Sequence, residues 1–398
     1  MTLQANQDST LLREITLRNV LSYGPESSPI PLGSLNVLIG PNGSGKSNLI
    51  DAMGLLRFVP LDSLRNVISR EGGGVLEWIW KGNPKGEATI EAVFAESART
   101  RSMRHAIAFR AENQTFSLTR ELIEEQELSP ASKSQPSFFY RLENGNPIVN
   151  RGGRQRALSR ESVEADKSIL AQRRDPETYP EISYVASVYE KIRVYREWAF
   201  GRNSIFRTPQ KADMRNDRLE EDFSNLGLFL NRLRRDPKAK KAILTALSDL
   251  YEGLSDFDVS VEGGTVQVFF TEGEFTIPAT RLSDGTLRYL CLLAILCDPT
   301  PPPLICIEEP ELGLHPDILP KIADLLIAAS ERTQLIVTTH SDILVDAMTE
   351  RPESILICEK HEGQTEMRRL DRQKLAGWLE HYRLGELWTR GELGGTRW

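Results

Sequence analysis

With 398 residues, 40% hydrophobic and 26% charged, the chain has an ordinary globular make-up and enough length for roughly two to three compact units. A net charge of −7 argues against a protein that coats nucleic acid over its whole surface. The longest apolar run, residues 290–297, falls far short of the ~20 residues of a membrane-spanning helix. Met1-Thr2-Leu3-Gln4 offers no basic start to an apolar core, so neither a membrane contact nor an export signal is expected.

Residues 12–20 alternate as a strand, and residues 35–39 form a short apolar strand that ends at a glycine-rich turn. Leu49, Ile50, Met53 and Leu56 then recur at helical spacing within residues 47–58. Segments 75–80, 88–94, 105–110 and 115–120 read as short strands of an antiparallel layer. Residues 146–250 are rich in Arg, Glu and Asp, with helical patterns over 185–200 and 225–233, and predict a helical insertion. Strands at 256–261 and 265–270 flank Gly263-Gly264, a hairpin signal.

The last third alternates: helix 282–296, strand 304–307, helix 316–329, strand 334–338, helix 341–348, strand 354–358. Such alternation implies a largely parallel sheet. The expected fold is therefore α/β, a mixed central sheet with an antiparallel β layer and a helical insertion. The expected division is a first lobe at 1–145, the insertion at 146–250 and a second lobe at 251–398. Cys291, Cys297, Cys306 and Cys358 sit in apolar segments without CxxC pairing, which suggests reduced thiols and a cytoplasmic protein. Basic runs at 99–104, 151–160 and 232–241 could contact the phosphate backbone of DNA, but such runs are more often solvated faces.

Four motifs carry chemistry. Gly40-Pro41-Asn42-Gly43-Ser44-Gly45-Lys46-Ser47 is a complete G-x-x-x-x-G-K-S between a strand and a helix. Its glycines let backbone amides cradle a β-phosphate, Lys46 reaches the β- and γ-phosphates, and the Ser47 hydroxyl suits Mg²⁺. In Leu304-Ile305-Cys306-Ile307-Glu308-Glu309 an apolar strand delivers two acids to a sheet edge. Glu308 would hold Mg²⁺, and Glu309 would orient or deprotonate the attacking water. Ser283-Asp284-Gly285 opens a helix, where a hydroxyl and an amide suit a terminal phosphate, although alone it is also a good helix cap. His340 follows the next strand and could hydrogen-bond a γ-phosphate.

Taken in this order, the motifs resemble ABC-type ATPase heads of the SMC/RecF-like and OLD-like class, with residues 40–47 as Walker A, 282–286 as signature, 304–309 as Walker B and His340 as switch histidine. Residues 282–288, 307–316 and the tail 391–398 resemble stand-alone prokaryotic predicted ATPases of the AAA type. The resemblance implies a P-loop NTPase fold with ATP and Mg²⁺ bound at residues 40–48, Asn48 included. It implies a homodimer in which Ser283, Asp284 and Gly285 of one copy close over the nucleotide of the other. Glu309, His340 and Lys46 would be catalytic, Ser47 and Glu308 metal-binding. Glu308 stands where many such heads have Asp, His315 stands where an Asp is usual, and no residue is assigned as the Q-loop glutamine. The resemblance also implies a nuclease-like effector on another chain, in DNA repair or antiphage defence.

Overall fold

The computed structural model describes residues 10–95, 102–126, 137–159, 163–198, 201 and 204–395. In chain order, β1 (Leu12–Arg18), β2 (Ile30–Pro31) and β3 (Leu35–Ile39) lead to α1 (Lys46–Phe58), α2 (Leu64–Gly72) and α3 (Val75–Trp78). There follow β4 (Ala88–Phe94), β5 (Met103–Glu112), β6 (Thr115–Glu125), β7 (Phe138–Glu143), β8 (Asn146–Arg151) and β9 (Arg154–Ala157). Next come α4 (Ile169–Gln172), α5 (Pro180–Tyr189), β10 (Arg193–Tyr195), β11 (Gln210–Lys211), α6 (Leu226–Leu233) and α7 (Pro237–Leu250). The chain continues through β12 (Leu254–Glu262), β13 (Thr265–Glu272), β14 (Phe275–Pro278), α8 (Asp284–Leu296), β15 (Leu304–Glu308) and α9 (Leu319–Ala329). It ends with β16 (Gln334–Thr338), α10 (Asp342–Ala347), β17 (Ile355–His361), β18 (Gln364–Arg369), α11 (Arg372–Leu379) and α12 (Leu384–Thr389).

The central sheet has the order β10-β15-β16-β3-β17-β18, parallel except for the terminal β18. Its inner strands are nearly all apolar because both faces are covered. Val37, Ile39, Ile305, Ile307, Leu335 and Val337 face a core built with α8, α9 and α10. Their neighbours Leu38, Leu304, Cys306 and Ile336 face a second core built with α1, α5 and the antiparallel sheet. That sheet runs β2-β1-β4-β5-β6-β7-β8-β9, and a third joins β11, β13, β12 and β14. The expected α/β architecture with an antiparallel layer is the one observed.

Three expectations change. Residues 75–80 form not a strand but the short helix α3, because Gly73 and Gly74 turn the chain sharply (φ 74° and 122°) and Val75 and Trp78, three apart, enter one core. The helix expected over 185–200 stops at Tyr189, and β10 follows it; the strand is decided by parallel pairing with β15, a partner more than a hundred residues away. Residues 199 and 200 lie outside the described residues. Segment 146–250 mixes helices with β8 and β9 of the antiparallel sheet and the edge strand β10 of the central one. Its high charge suited helices, and the strands β8, β9 and β10 each carry arginine, which hid their extended character.

Candidate functional site

β3 delivers the chain to Gly40 at the carboxyl edge of the parallel sheet, where open α/β sheets bind ligands. Gly40 has φ 150°, and a Cβ there would overlap the Cys358 carbonyl oxygen. Gly45, the N-cap of α1, has φ 103°, and a Cβ there would overlap Thr365. Both positions therefore demand glycine. Ser44 N–H donates to the Pro41 carbonyl at 3.2 Å, and Asn42 and Gly43 form the exposed tip. Lys46 Nζ folds back on the carbonyls of Gly40 (2.8 Å) and Pro41 (3.0 Å), two oxygens without charge. Burial lowers its pKa, opposed by Cys358 and by the carboxylates of Glu309, Glu308 and Glu311. The Ser44 hydroxyl is buried without a hydrogen-bond partner, and Ser47 is exposed at the first turn of α1. A hollow of amides at a helix N-terminus, a desolvated ammonium and an orphaned hydroxyl fit a bound phosphate chain.

The loop is braced by residues most of which sequence reading did not assign to the site. Thr365 Oγ1 donates to the Ser44 carbonyl at 2.8 Å and lies 2.6 Å from Ser22 Oγ. The Tyr23 hydroxyl donates to the Gly45 carbonyl at 3.1 Å. The Asn48 side chain donates to Ser22 Oγ at 2.7 Å, so it belongs to this brace. Ser22 and Thr365 are over three hundred residues apart, and nothing local in the sequence marks them.

The two acids lie at the end of β15. Glu309 takes a left-handed φ of 45°, held by its N–H to the Thr338 carbonyl at 3.1 Å. Its Oε1 is 3.6 Å from His340 Nε2. Burial raises the Glu309 pKa, and Glu311 and Glu308 push the same way. Glu311 Oε1 accepts from Thr339 Oγ1 and from His340 N–H, each at 2.7 Å, which fixes the turn that carries the histidine. Arg196, just after β10, reaches Glu308 (Nε to Oε2, 3.4 Å) and Asp51 (Nη2 to Oδ1, 2.7 Å).

The tip of α8 is a separate cluster. Ser283 caps the helix, accepting from Thr286 N–H at 3.1 Å, and with Asp284 it is exposed. Asp284 pairs with Arg207 at 2.6 Å, and Arg207 also donates to the carbonyls of Thr280 and Leu282. Arg207 thus shapes the tip, while Gln210 accepts from Gly227 N–H and donates to the Phe223 carbonyl. Arg288 lies over the Trp198 ring at 4.7 Å, and Trp198 Nε1 donates to the Glu308 carbonyl at 2.8 Å, which ties the tip's helix to the acids. The partners of Ser283 and Asp284 within the chain are Thr286 and Arg207, not the phosphate loop.

Residues 35–346, a span holding the loop, the tip, both acids and His340, match a family described as "AAA domain, putative AbiEii toxin, Type IV TA system". The chain belongs to this family. None of the curated proteins compared matches it. Among solved structures, this AAA-domain chain is similar to an SMC head bound to the C-winged helix domain of ScpA, at 15% identity and TM-score 0.57 over 92% of this chain and 99% of that one. It is also similar to an Smc head domain with an extended coiled coil bound to the C-terminal domain of ScpA from Pyrococcus furiosus, at 15% identity and TM-score 0.56 over 93% and 98%. At that identity the likeness is one of fold, the ABC-type head of the SMC class.

Proposed function

We propose that the chain is a cytoplasmic Mg²⁺-dependent ATPase whose two copies close around ATP, and that this dimer acts as a nucleotide switch on a partner protein. The observation that carries the reading is the convergence of Lys46, Glu308, Glu309 and His340 at the ends of the adjacent parallel strands β15, β16 and β3. Lys46 would exchange two neutral carbonyls for phosphate oxygens, a charge-assisted gain. Ser47 and Glu308 would hold Mg²⁺, which when bound neutralises charge across the β- and γ-phosphate oxygens. Glu309, with its pKa raised by burial, would take the proton of the attacking water. His340, 3.6 Å from it, would hydrogen-bond the γ-phosphate. The exposed Ser283 and Asp284, with the half-buried Gly285 beside them, would complete the site of the second copy.

For the partner, both structural relatives are described with a ScpA domain bound. These support an effector protein, which we assign to a nuclease-like class in DNA repair or antiphage defence. A protein partner is favoured over direct DNA contact because several side chains of two of the three basic runs are already paired: Arg104 with Glu124, Arg232 with Asp298, Lys240 with Asp256. Residues 99–101 and 160 of those runs lie outside the described residues.

Light scattering of the wild type and of Glu309→Gln, each with and without ATP, tests the reading together with phosphate release. The variant is expected to persist as an ATP-bound dimer with turnover reduced at least ~100-fold. Normal hydrolysis by the variant would remove Glu309 from its role, and a wild type that binds no ATP would end the proposal.

A further inference from the structure

The C-terminal segment does something that packing alone does not require. Gly391, Gly394 and Gly395 all take left-handed φ values (82°, 77° and 61°), turning the chain after α12 back toward the central sheet. There Gly395 N–H donates to Glu359 Oε1 at 2.8 Å, and Trp388 Nε1 donates to the Gly395 carbonyl at 2.8 Å. Arg368 donates to the Leu393 carbonyl, also at 2.8 Å. A Cβ built on Gly395 would stand 3.6 Å from Gly40 Cα and 2.8 Å from the Ile357 side chain. Gly395 therefore approaches the first glycine of the phosphate loop to within the reach of a single added side-chain atom. The burial of Trp388 and Leu393 would anchor this segment without any approach to Gly40.

The same strap is tied at its other end to the helix that follows His340. Gly385 N–H donates to Asp346 Oδ1 at 3.1 Å, and Arg383 pairs with Asp346 at 2.9 Å. A Cβ on Gly385 would overlap the Asp342 carbonyl. Ser341, next to His340, caps α10. A continuous set of contacts thus runs from the turn of His340 through α10 and α12 to Gly395 and Gly40.

We propose that residues 384–395 are a positioning strap of the nucleotide site, which holds the first turn of the phosphate loop in its binding shape and couples it to the turn carrying His340. This rests on residues 40–47 being the nucleotide site. The strap restricts the loop before nucleotide arrives, so ordering is not charged against binding. Because it also holds α10, it bears more on a ligand with a γ-phosphate than on one without.

Three variants of the full chain test it: Gly395→Ala, Trp388→Phe, and the control Ile107→Ala, a buried β5 side chain outside the strap. Affinities for a fluorescent ATP analogue and for ADP are measured beside the unfolding midpoint of the nucleotide-free protein. Gly395→Ala and Trp388→Phe are expected to weaken the ATP analogue by ~10-fold and ADP by less. Ile107→Ala is expected to lower the midpoint and leave both affinities in place. Strap variants that bind like wild type would overturn the proposal, and so would a loss of affinity that simply follows the midpoint across all three. If Gly395→Ala does not fold, Trp388→Phe decides alone. A wild type that binds no nucleotide is a separate failure, of the proposed function itself.

Discussion

Arg196 stands between two acids, 3.4 Å from Glu308 and 2.7 Å from Asp51. A cation that already neutralises Glu308 competes with Mg²⁺ for it. A half-exposed pair of this kind is worth up to ~1 kcal/mol, so Arg196→Ala should lower the Mg²⁺ concentration for half-maximal turnover by up to about 5-fold. Titration of Mg²⁺ at saturating ATP checks this, and a raised requirement would mean that Arg196 instead orients Glu308. Glu309 offers a second test. Its folded pKa lies above the ordinary value through burial, then through Glu311 and Glu308. Such a carboxyl costs no stability below its unfolded pKa and costs the full amount above its folded pKa. Glu309→Gln should therefore raise the unfolding midpoint of the nucleotide-free protein at pH 8, and the gain should shrink toward pH 4. An equal gain at both would sink this account.

Elements are joined by buried polar groups as much as by apolar ones. Glu121 on β6 is fully buried; it accepts from Ile169 N–H at 2.9 Å and from the Ser168 hydroxyl, and His105 Nε2 lies 3.3 Å away. His105 Nδ1 is in turn 3.0 Å from the Tyr189 hydroxyl. This network pins α4 and α5 to the antiparallel sheet. Glu121→Ala would leave several buried groups unsatisfied and should cost about 3–5 kcal/mol, read as a shift in denaturant midpoint. A loss below about 1 kcal/mol would mean that water replaces the carboxylate. Gln334 plays a similar part, accepting from Leu12 N–H at 2.9 Å and donating to the carbonyls of Leu12 and Gly33, which joins the two large sheets.

At the scale of the molecule, the proposal places loop and tip in different copies. A Lys46→Ala chain lacks the loop cation, and a Ser283→Arg chain lacks a usable tip. Each alone should be inactive, whereas a mixture should regain up to roughly a quarter of the wild-type rate, the share of intact composite sites in a two-fold dimer. If mixing restores nothing, the site is completed within one chain. Trp388 belongs to this scale too: it is an internal anchor for the strap, while Trp378 is about half exposed and Trp398 lies outside the described residues.

By itself the sequence determined the phosphate loop, the strand with two acids, the α8 tip, His340 and the parallel sheet, because each is written in contiguous residues whose local geometry requires them. Glycine at 40 and 45 is an example: left-handed or crowded backbone admits little else. Only the tertiary structure decided β10, the Ser22–Thr365 brace, the Arg196–Glu308 pair and the contact of Gly395 with Gly40. These join residues over a hundred positions apart, and a short polar segment carries no mark of the distant partner that gives it shape. Pairing energy is realised only when the fold brings both halves together.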